Sequence, residues 1–477
     1  MTGLQRYPAM KDSAVLWLGE IPEHWEVRRG KILFRCVDVR SETGDEELLT
    51  VSSERGVIPR RSVRVTMFKA ESYAGHKLCW PGDLVINSLW AWARGLGVSQ
   101  LHGIVSTAYG VYRARAESAV NPRFMHQLVR SAPFHWELRV RSKGIWTSRL
   151  QLTDESFLSA SFPLPPLPEQ AAIIRFLDHA DTQIGRHILA KQKLIKLLNE
   201  QEAAIVNDAV TRGLDRSVEL RPSGVQWLGD IPLHWEVVPF KRRVGFQEGP
   251  GIMAEDFRDE GVPLLRISCL GSDEATLDGC NYLAPEMVQR RWKHFAIEAG
   301  DYLLSASAST GAVVLATDVV AGAIPYTGII RLWSISEKAF MPFVRLFMGC
   351  RPFQDQIDEA KSGVGIEHFG PTHLKRMIVL LPPFDEQRRI VAWVTSKIAP
   401  TAALIASAQR EIDLLREYRG RLIADLVTGK VDVREAGVSL SDKTDADETR
   451  EKEVEVEDSI ADIDREAVGA EFDEVEA

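Results

Sequence analysis

The chain of 477 residues is 45% hydrophobic, enough apolar material for two sizeable cores and no more than a globular protein holds. Its formal net charge of −9 is unevenly spread: residues 435–477 hold 17 Asp/Glu against 4 Lys/Arg, which leaves 54 basic and 50 acidic groups on residues 1–434, a mildly basic body of +4. Five cysteines (Cys36, Cys79, Cys269, Cys280 and Cys350) form no C-x-x-C pair, which argues against a disulfide framework and a zinc knuckle alike. No uninterrupted apolar run reaches membrane-spanning length; residues 313–323 break at Asp318 and residues 340–349 at Arg345. The opening MTGLQRYPAMKDS lacks the apolar segment of a secretory signal, so a cytoplasmic protein outside the membrane is expected.

In chain order, the first element is a phrase that returns. Residues 13–27 read SAVLWLGEIPEHWEV and residues 223–237 read SGVQWLGDIPLHWEV, 11 identities in 15 positions at an offset of 210. His24 and His234 recur in it beside Trp25 and Trp235. With no acidic partner or nucleophile recurring alongside, capping or packing is expected of them rather than catalysis. Short runs bounded by Gly, Pro and Ser follow, as strands are: 48–51, 82–86, 103–105 and 109–112, then a helix over 123–129. Pro165-Pro166-Leu167-Pro168-Glu169-Gln170 then opens a long helical pattern that ends on Asp208-Ala209-Val210-Thr211. The second copy answers with strands over 263–267, 300–304 and 328–332, and a helix over 341–348. Pro382-Pro383-Phe384-Asp385-Glu386-Gln387 then starts a helical pattern ending on Asp425-Leu426-Val427-Thr428. Copies of about 200 residues are too large for solenoid repeats.

Both long helices carry an apolar seam. In the second, Val391, Val394, Ile398, Thr401, Ile405, Ala408, Ile412, Leu415, Leu422 and Leu426 step by three and four, a heptad pattern with Arg419 as its one charged intrusion. The first keeps a looser version through Leu177, Ile184, Ile188, Ile195, Leu198 and Ile205. A helix from residue 170 to 211 is about 60 Å long and needs a partner for its seam. The other helix, opened by the same phrase, is the expected one.

Motifs of chemistry are missing. No G-x-x-x-x-G-K-[ST] cradles a phosphate, and Gly363-Val364-Gly365 lacks the third glycine of a dinucleotide loop. The 11 histidines form neither H-x-x-x-H nor H-E-x-x-H, and His368 and His373 do not share a helix face for a metal. Leu381-Pro382-Pro383-Phe384 is superficially like the [DN]-P-P-[YF] loop of adenine methyltransferases, but Leu381 cannot accept from an exocyclic amine. Glu359-Ala360-Lys361 has nuclease spacing without an upstream acidic partner and reads as helix surface. The expectation is a chain with no catalytic residue, no metal and no cofactor.

The WLGEIPEHWEV phrase, the GDLVINS and GDYLLSA strands, PPLPEQ and PPFDEQ, and the long helices after them resemble the DNA-specificity subunit of a type I restriction–modification system. The similarity spans residues 13–434, in both copies and in order. It implies an α/β (α+β-like) fold with tandem target-recognition domains at 1–164 and 214–381. Spacer helices at 165–213 and 382–430 would pair as an antiparallel coiled coil, and 431–477 would form an acidic, disordered tail. It further implies that each domain reads one half of a split sequence in double-stranded DNA. Two methyltransferase subunits and the restriction (motor) subunits would assemble on the chain, and S-adenosylmethionine, ATP and Mg would sit on those partners.

Base readout needs polar side chains on loops with cations around them for phosphates. The first copy offers Arg55, Arg60, Arg61, Arg64, Trp90, Trp92 and Arg94, then Arg141, Lys143, Trp146, Ser148 and Arg149. The second offers Arg266, Arg290, Arg291, Lys293, Ser305, Ser307, Lys361 and His368. The clusters Arg60/Arg61/Arg64 and Arg290/Arg291/Lys293 suit phosphates; the loops after the Gly-Asp strands suit base edges. The competing readings are a two-headed coiled-coil adaptor for a non-DNA ligand, which would not call for four clustered arginines in one head, and a self-sufficient modifying enzyme, which the missing catalytic motifs oppose.

Overall fold

The computed structural model describes residues 5–62, 72–144, 150–225, 227–306, 313–362 and 369–440. Two compact units emerge, Met1–Gln192 with Gln409–Ala477, and Lys193–Ala408. The division runs across both long helices, Leu167–Arg212 and Phe384–Val427. Each unit therefore holds a head, the first half of the helix that follows that head, and the last half of the other helix.

The heads share a skeleton. In the first, four antiparallel strands lie in the order Phe34–Cys36, Tyr109–Ala114, Leu84–Asn87, Leu96–Val98. In the second the order is Val244–Glu248, Ile329–Ser334, Tyr302–Ser305, Val313–Leu315. The Gly-Asp phrase starts the third strand of each sheet, and its aspartate explains why it returns. Asp83 accepts from the Trp80 N–H at 3.0 Å and takes a two-pronged ion pair from Arg113, 2.7 Å on each arm. Asp301 accepts from the Glu298 N–H at 2.7 Å and pairs with Arg331. A buried carboxylate that caps a turn and binds a guanidinium across the sheet is costly to lose, because its partner is left unpaired. Each arginine also lies over an indole, Arg113 on Trp80 and Arg331 on Trp333.

Smaller ladders repeat as well. Glu26–Arg29 pairs with Ser161–Leu164, and Glu236–Pro239 with Ile378–Leu381, so the strand entering each head is closed by the strand leaving it. Beyond this frame the heads diverge. The second has an extra four-stranded sheet (Phe257–Arg258, Asn281–Leu283, Val262–Leu265, Ile324–Pro325), and the first has the hairpin Leu49–Ser52/Gly56–Pro59 and the antiparallel pair Lys77–Cys79/Gly103–Val105.

The long helices pack antiparallel in both units. In the first unit, moving from Asp181 to Lys191 along one helix moves from Arg419 back to Glu411 along the other, with ion pairs at 3.0 and 2.7 Å. In the second unit, Ala209 and Val210 from the end of one helix share a core with Ile390 and Val394 from the start of the other. The heptad positions are where burial falls. Leu177, Ile184, Ile188, Val394, Ile412 and Leu422 are buried, and Ile195, Leu198, Ile398, Ile405 and Leu415 are half-buried. Arg419, the charged intrusion, is met by Asp181 through two bonds of 3.0 Å.

The structure adds detail to two expectations. The second long helix holds an 18-residue stretch of mean hydropathy 1.4, long and apolar enough by those measures to cross a membrane. The sequence showed no uninterrupted run because Lys397 and Pro400 break it. Ile390 and Val394 of this helix are fully buried in the second unit's core, while most of the stretch is not buried. Residues 431–440, expected from the sequence to lie in the tail, are folded onto the first unit. Asp432 bridges to Gln5, Val433 is buried, and Arg434–Ser439 forms a short helix whose Gly437 carbonyl accepts from Arg175 at 3.0 Å. An apolar Val433 within reach of the first unit's core outweighs the local charge. The acidic residues 441–477 lie outside the described residues.

Candidate nucleic-acid interface

The repeated phrases meet at two junctions, one per unit. In the first, Glu169 at the start of the long helix accepts from the Tyr7 hydroxyl at 2.6 Å and the Trp25 indole N–H at 2.9 Å, and bonds His24 Nε2 at 2.7 Å. Burial and this carboxylate push the Tyr7 phenol far above its ordinary range. Gln170 accepts from the Asn121 N–H and donates to the carbonyls of Ala119 and Pro165, all within 2.9 Å. In the second junction Glu386 bonds His234 at 2.8 Å, and Gln387 repeats the three-way clamp on Phe340, Lys338 and Pro382 at 2.8 Å each. Among the described residues Trp235 Nε1, unlike Trp25 Nε1, has no hydrogen-bond partner. An acidic partner does recur with the two histidines, contrary to the sequence reading, which missed it because it lies 145 residues from His24 and 152 from His234. The partner is in each copy the glutamate that opens the long helix, buried at Glu169 and half-buried at Glu386.

The end of the other helix completes each junction. Gly429 has φ +74°, and a Cβ there would lie 2.3 Å from Pro22 Cδ, so only glycine fits between that helix end and the first head's repeated phrase. Lys430 Nζ donates onward to the carbonyls of Leu18 and Glu20. In the second unit Gly213, also at φ +74°, sits against the Trp235 ring. Most of these donors and acceptors pair with one another, so the junctions hold parts of each unit together.

Among the described residues, the predicted DNA-contacting residues other than Ser305 fall outside the four-stranded sheets that the heads share. Arg55 is exposed at the tip of the Leu49–Ser52/Gly56–Pro59 hairpin, and Arg60 and Arg61 lie in the turn Arg60–Ser62, with Arg61 3.0 Å from Glu47. Trp90 is 57% exposed and stacks on Trp92 at 5.9 Å, 18° from parallel. Arg94 is exposed, in a left-handed conformation at φ 62°. Lys143 is exposed, while Arg141 is occupied by Glu137 and Ser159.

In the second head Arg290, Arg291 and Lys293 are exposed on one π-helical turn and its successor, with Arg291 over the Trp292 ring. Arg266 bonds the Asn281 side chain and lies over Tyr326. Ser305 is fully buried in its strand, which does not bring it to a surface. Lys361 lies on the helix Arg351–Ser362. Arg64, Trp146, Ser148, Arg149, Ser307 and His368 lie outside the described residues. Among the described residues no group of His, Cys, Asp and Glu could hold a metal ion.

One organiser was missed. Arg130, on the helix Pro122–Arg130, donates to the carbonyls of Ser52, Ser53, Glu54, Arg94 and Leu96. It therefore ties the Arg55 hairpin to the Trp90–Arg94 loop. Burial, then the nearby Arg94, bring its pKa down to about 10. His135 holds the same loop through the Trp92 carbonyl. Neither residue had a sequence signal, because both act on backbone far along the chain. The Asp83–Arg113 and Asp301–Arg331 pairs did have one: the same separation of 30 in each copy.

No family model matches the chain. It is 24% identical over 301 residues to the type I restriction enzyme MjaVIII specificity subunit of Methanocaldococcus jannaschii, covering 62% of this chain and 68% of that protein. It is 23% identical over 448 residues to the MjaX specificity subunit of the same organism, 87% of this chain and 96% of the relative. In fold it matches a chain solved in work on the "complex assembly and conformational transition of the type I R-M system", with a TM-score of 0.58 at 17% identity, over 85% of this chain and 98% of that one. Along most of its length the chain is thus similar to specificity subunits of type I restriction enzymes, and it shares the fold of a chain from such a system.

Proposed function

We propose that this chain is the non-catalytic, DNA-reading subunit of a type I restriction–modification complex, each head reading one half of a split double-stranded target. The observation that carries this reading is the division of labour within each unit. Every repeated phrase is consumed by a sheet frame or a junction, while the exposed cations and aromatics lie on the parts where the heads differ. Two readers built alike and loaded differently suit a target whose halves differ. Two methyltransferase subunits and the restriction subunits would assemble around the chain, and S-adenosylmethionine, ATP and Mg would belong to those partners.

Gel shifts of the chain, alone and with its methyltransferase subunits, against a duplex carrying the motif mapped by methylome sequencing test the proposal. Sequence-selective retention is expected, with methyl transfer only when the partner is added. Replacing Arg60, Arg61 and Arg64 together by Ala should weaken binding to all duplexes and flatten the salt dependence by roughly one unit of slope per phosphate lost. Methylation by the purified chain alone would overturn the non-catalytic assignment, and indifference to duplex sequence would overturn the reading itself.

A further inference from the structure

A polar cleft of about 270 Å³ opens in the first head, lined by Thr50, Ser53, Asn87, Trp90, Gly95 and Tyr109. It lies at the end of the Gly-Asp strand, where Asn87 faces Tyr109 across the sheet. The Asn87 amide donates to the Tyr109 hydroxyl at 3.4 Å, and its oxygen accepts from the Leu89 N–H at 3.2 Å. Those two bonds leave the side chain one further N–H and one further lone pair, side by side. A donor beside an acceptor on a planar amide matches N7 and the N6 amine on the major-groove edge of adenine.

The cleft's walls are fixed in advance. Arg130 holds the backbone on both sides, at Ser52, Ser53 and Glu54 and at Arg94 and Leu96, and His135 holds the Trp92 carbonyl. Rigid walls reduce the ordering cost when a ligand arrives. Trp90 stands exposed at the cleft with Trp92 stacked behind it, a flat apolar face suited to a base or a thymine methyl. Arg94, exposed on the same loop, supplies the charge for a neighbouring phosphate.

The second head supplies the contrast. The same cross-strand position there is Ser305 facing Ile329, and both are fully buried. On a shared skeleton, this position is polar and open in one head and closed in the other. That is how a position that reads sequence differs from one that holds the fold. A larger depression of about 480 Å³ runs along Pro81, Gly82, Pro122 and His126, but His126 Nδ1 already accepts from the Val98 N–H and the prolines offer no donor.

We infer that the cleft reads one adenine of the half-target assigned to the first head, with Asn87 making the paired contact to its N6 and N7. This rests on the DNA-reading function proposed above. The test uses the full chain assembled with its methyltransferase subunits, with the methylated motif mapped for the wild type and for Asn87→Asp and Asn87→Ser. The aspartate keeps the acceptor for the Leu89 N–H but loses the amide donor. It should shift one position of one half-target from A·T towards C·G, whose cytosine N4 amine it can accept. Binding to the original duplex should fall by about 10- to 100-fold, with the other half and the gap unchanged. The serine should relax the same position without a new preference, and matching thermal melts establish that the loop is intact. A wild-type motif with no A·T pair in that half, or variants with the wild-type motif, would overturn the inference while leaving the DNA-reading function standing. A wild-type complex with no split motif would instead remove the function on which it rests.

Discussion

Removing the Glu169 carboxylate strands two buried donors, the Tyr7 hydroxyl and the Trp25 indole N–H, and frees His24. Each buried donor left without a partner costs about 1–3 kcal/mol, so Glu169→Ala should lower the unfolding free energy of the first unit by about 2–4 kcal/mol in urea titrations. Glu169→Gln keeps an acceptor and should recover part of that. Equal losses in the two variants would show that packing, not hydrogen bonding, is what the residue supplies. His126 offers a pH signature in the same unit. Burial, then Arg130, hold its pKa down at about 4 against 6.5 in the unfolded chain. The unfolded state therefore takes up the proton first as pH falls. The stability this neutral imidazole supplies is complete above pH 6.5 and is lost as pH falls through 4, a difference of about 3 kcal/mol. His126→Asn keeps an acceptor for the Val98 N–H and does not titrate, so its denaturation midpoint should fall less than the wild type's between pH 7 and pH 4. Parallel curves would exclude this source. At this scale the sequence was legible for residue types and silent about partners. The Glu-Gln phrase stood out by repetition, but what it binds lies far away in the chain.

The heptad seam illustrates the opposite case, since periodicity is a local signal and needs no partner to be seen. What periodicity could not supply is the reason for Arg419 at an apolar step. Its partner, Asp181, sits on the other helix, 238 residues away. Both side chains are partly exposed, so the pair is worth no more than about 1 kcal/mol. Replacing both by Leu should complete the seam and raise the unfolding free energy by about 1 kcal/mol. Arg419→Leu alone should gain less, because Asp181 then faces an apolar neighbour. If the single change stabilises as much as the double, the two residues do not act as a pair. The Gly-Asp strands were also visible as elements, while Asn87 was overlooked. A single asparagine at a strand end has no period, and only the cross-strand register with Tyr109 sets it apart.

At the scale of the whole chain, two repeats were plain to read, but how the helix ends are shared was not. Asp208-Ala209-Val210-Thr211 and Asp425-Leu426-Val427-Thr428 look alike, and nothing local says that each belongs to the junction of the other repeat. Gly429 packs on Pro22 and Trp25 of the first head, and Gly213 on Trp235 of the second. Each helix is therefore fixed at both ends, which decides how a spacer must be lengthened. Four residues added only at Ala190–Lys193 would put Asp181 out of step with Arg419 or Val210 out of step with Val394, and a loss of stability is expected. A matched insertion, at Ala190–Lys193 and at the facing Gln409–Glu411, keeps both junctions and lets the seam re-form. Four residues lengthen each helix by about 6 Å and turn it by roughly 40° beyond a full turn. A full heptad adds about 10.5 Å and returns the seam nearly to its original phase. At about 3.4 Å per base pair, the gap in the methylated motif should grow by one or two base pairs for the first variant and about three for the second. The bases read on either side should stay as they were, because no residue of either head has changed. Matched variants that fold and methylate with the original gap would show that the helices join the heads without measuring the DNA between the half-targets.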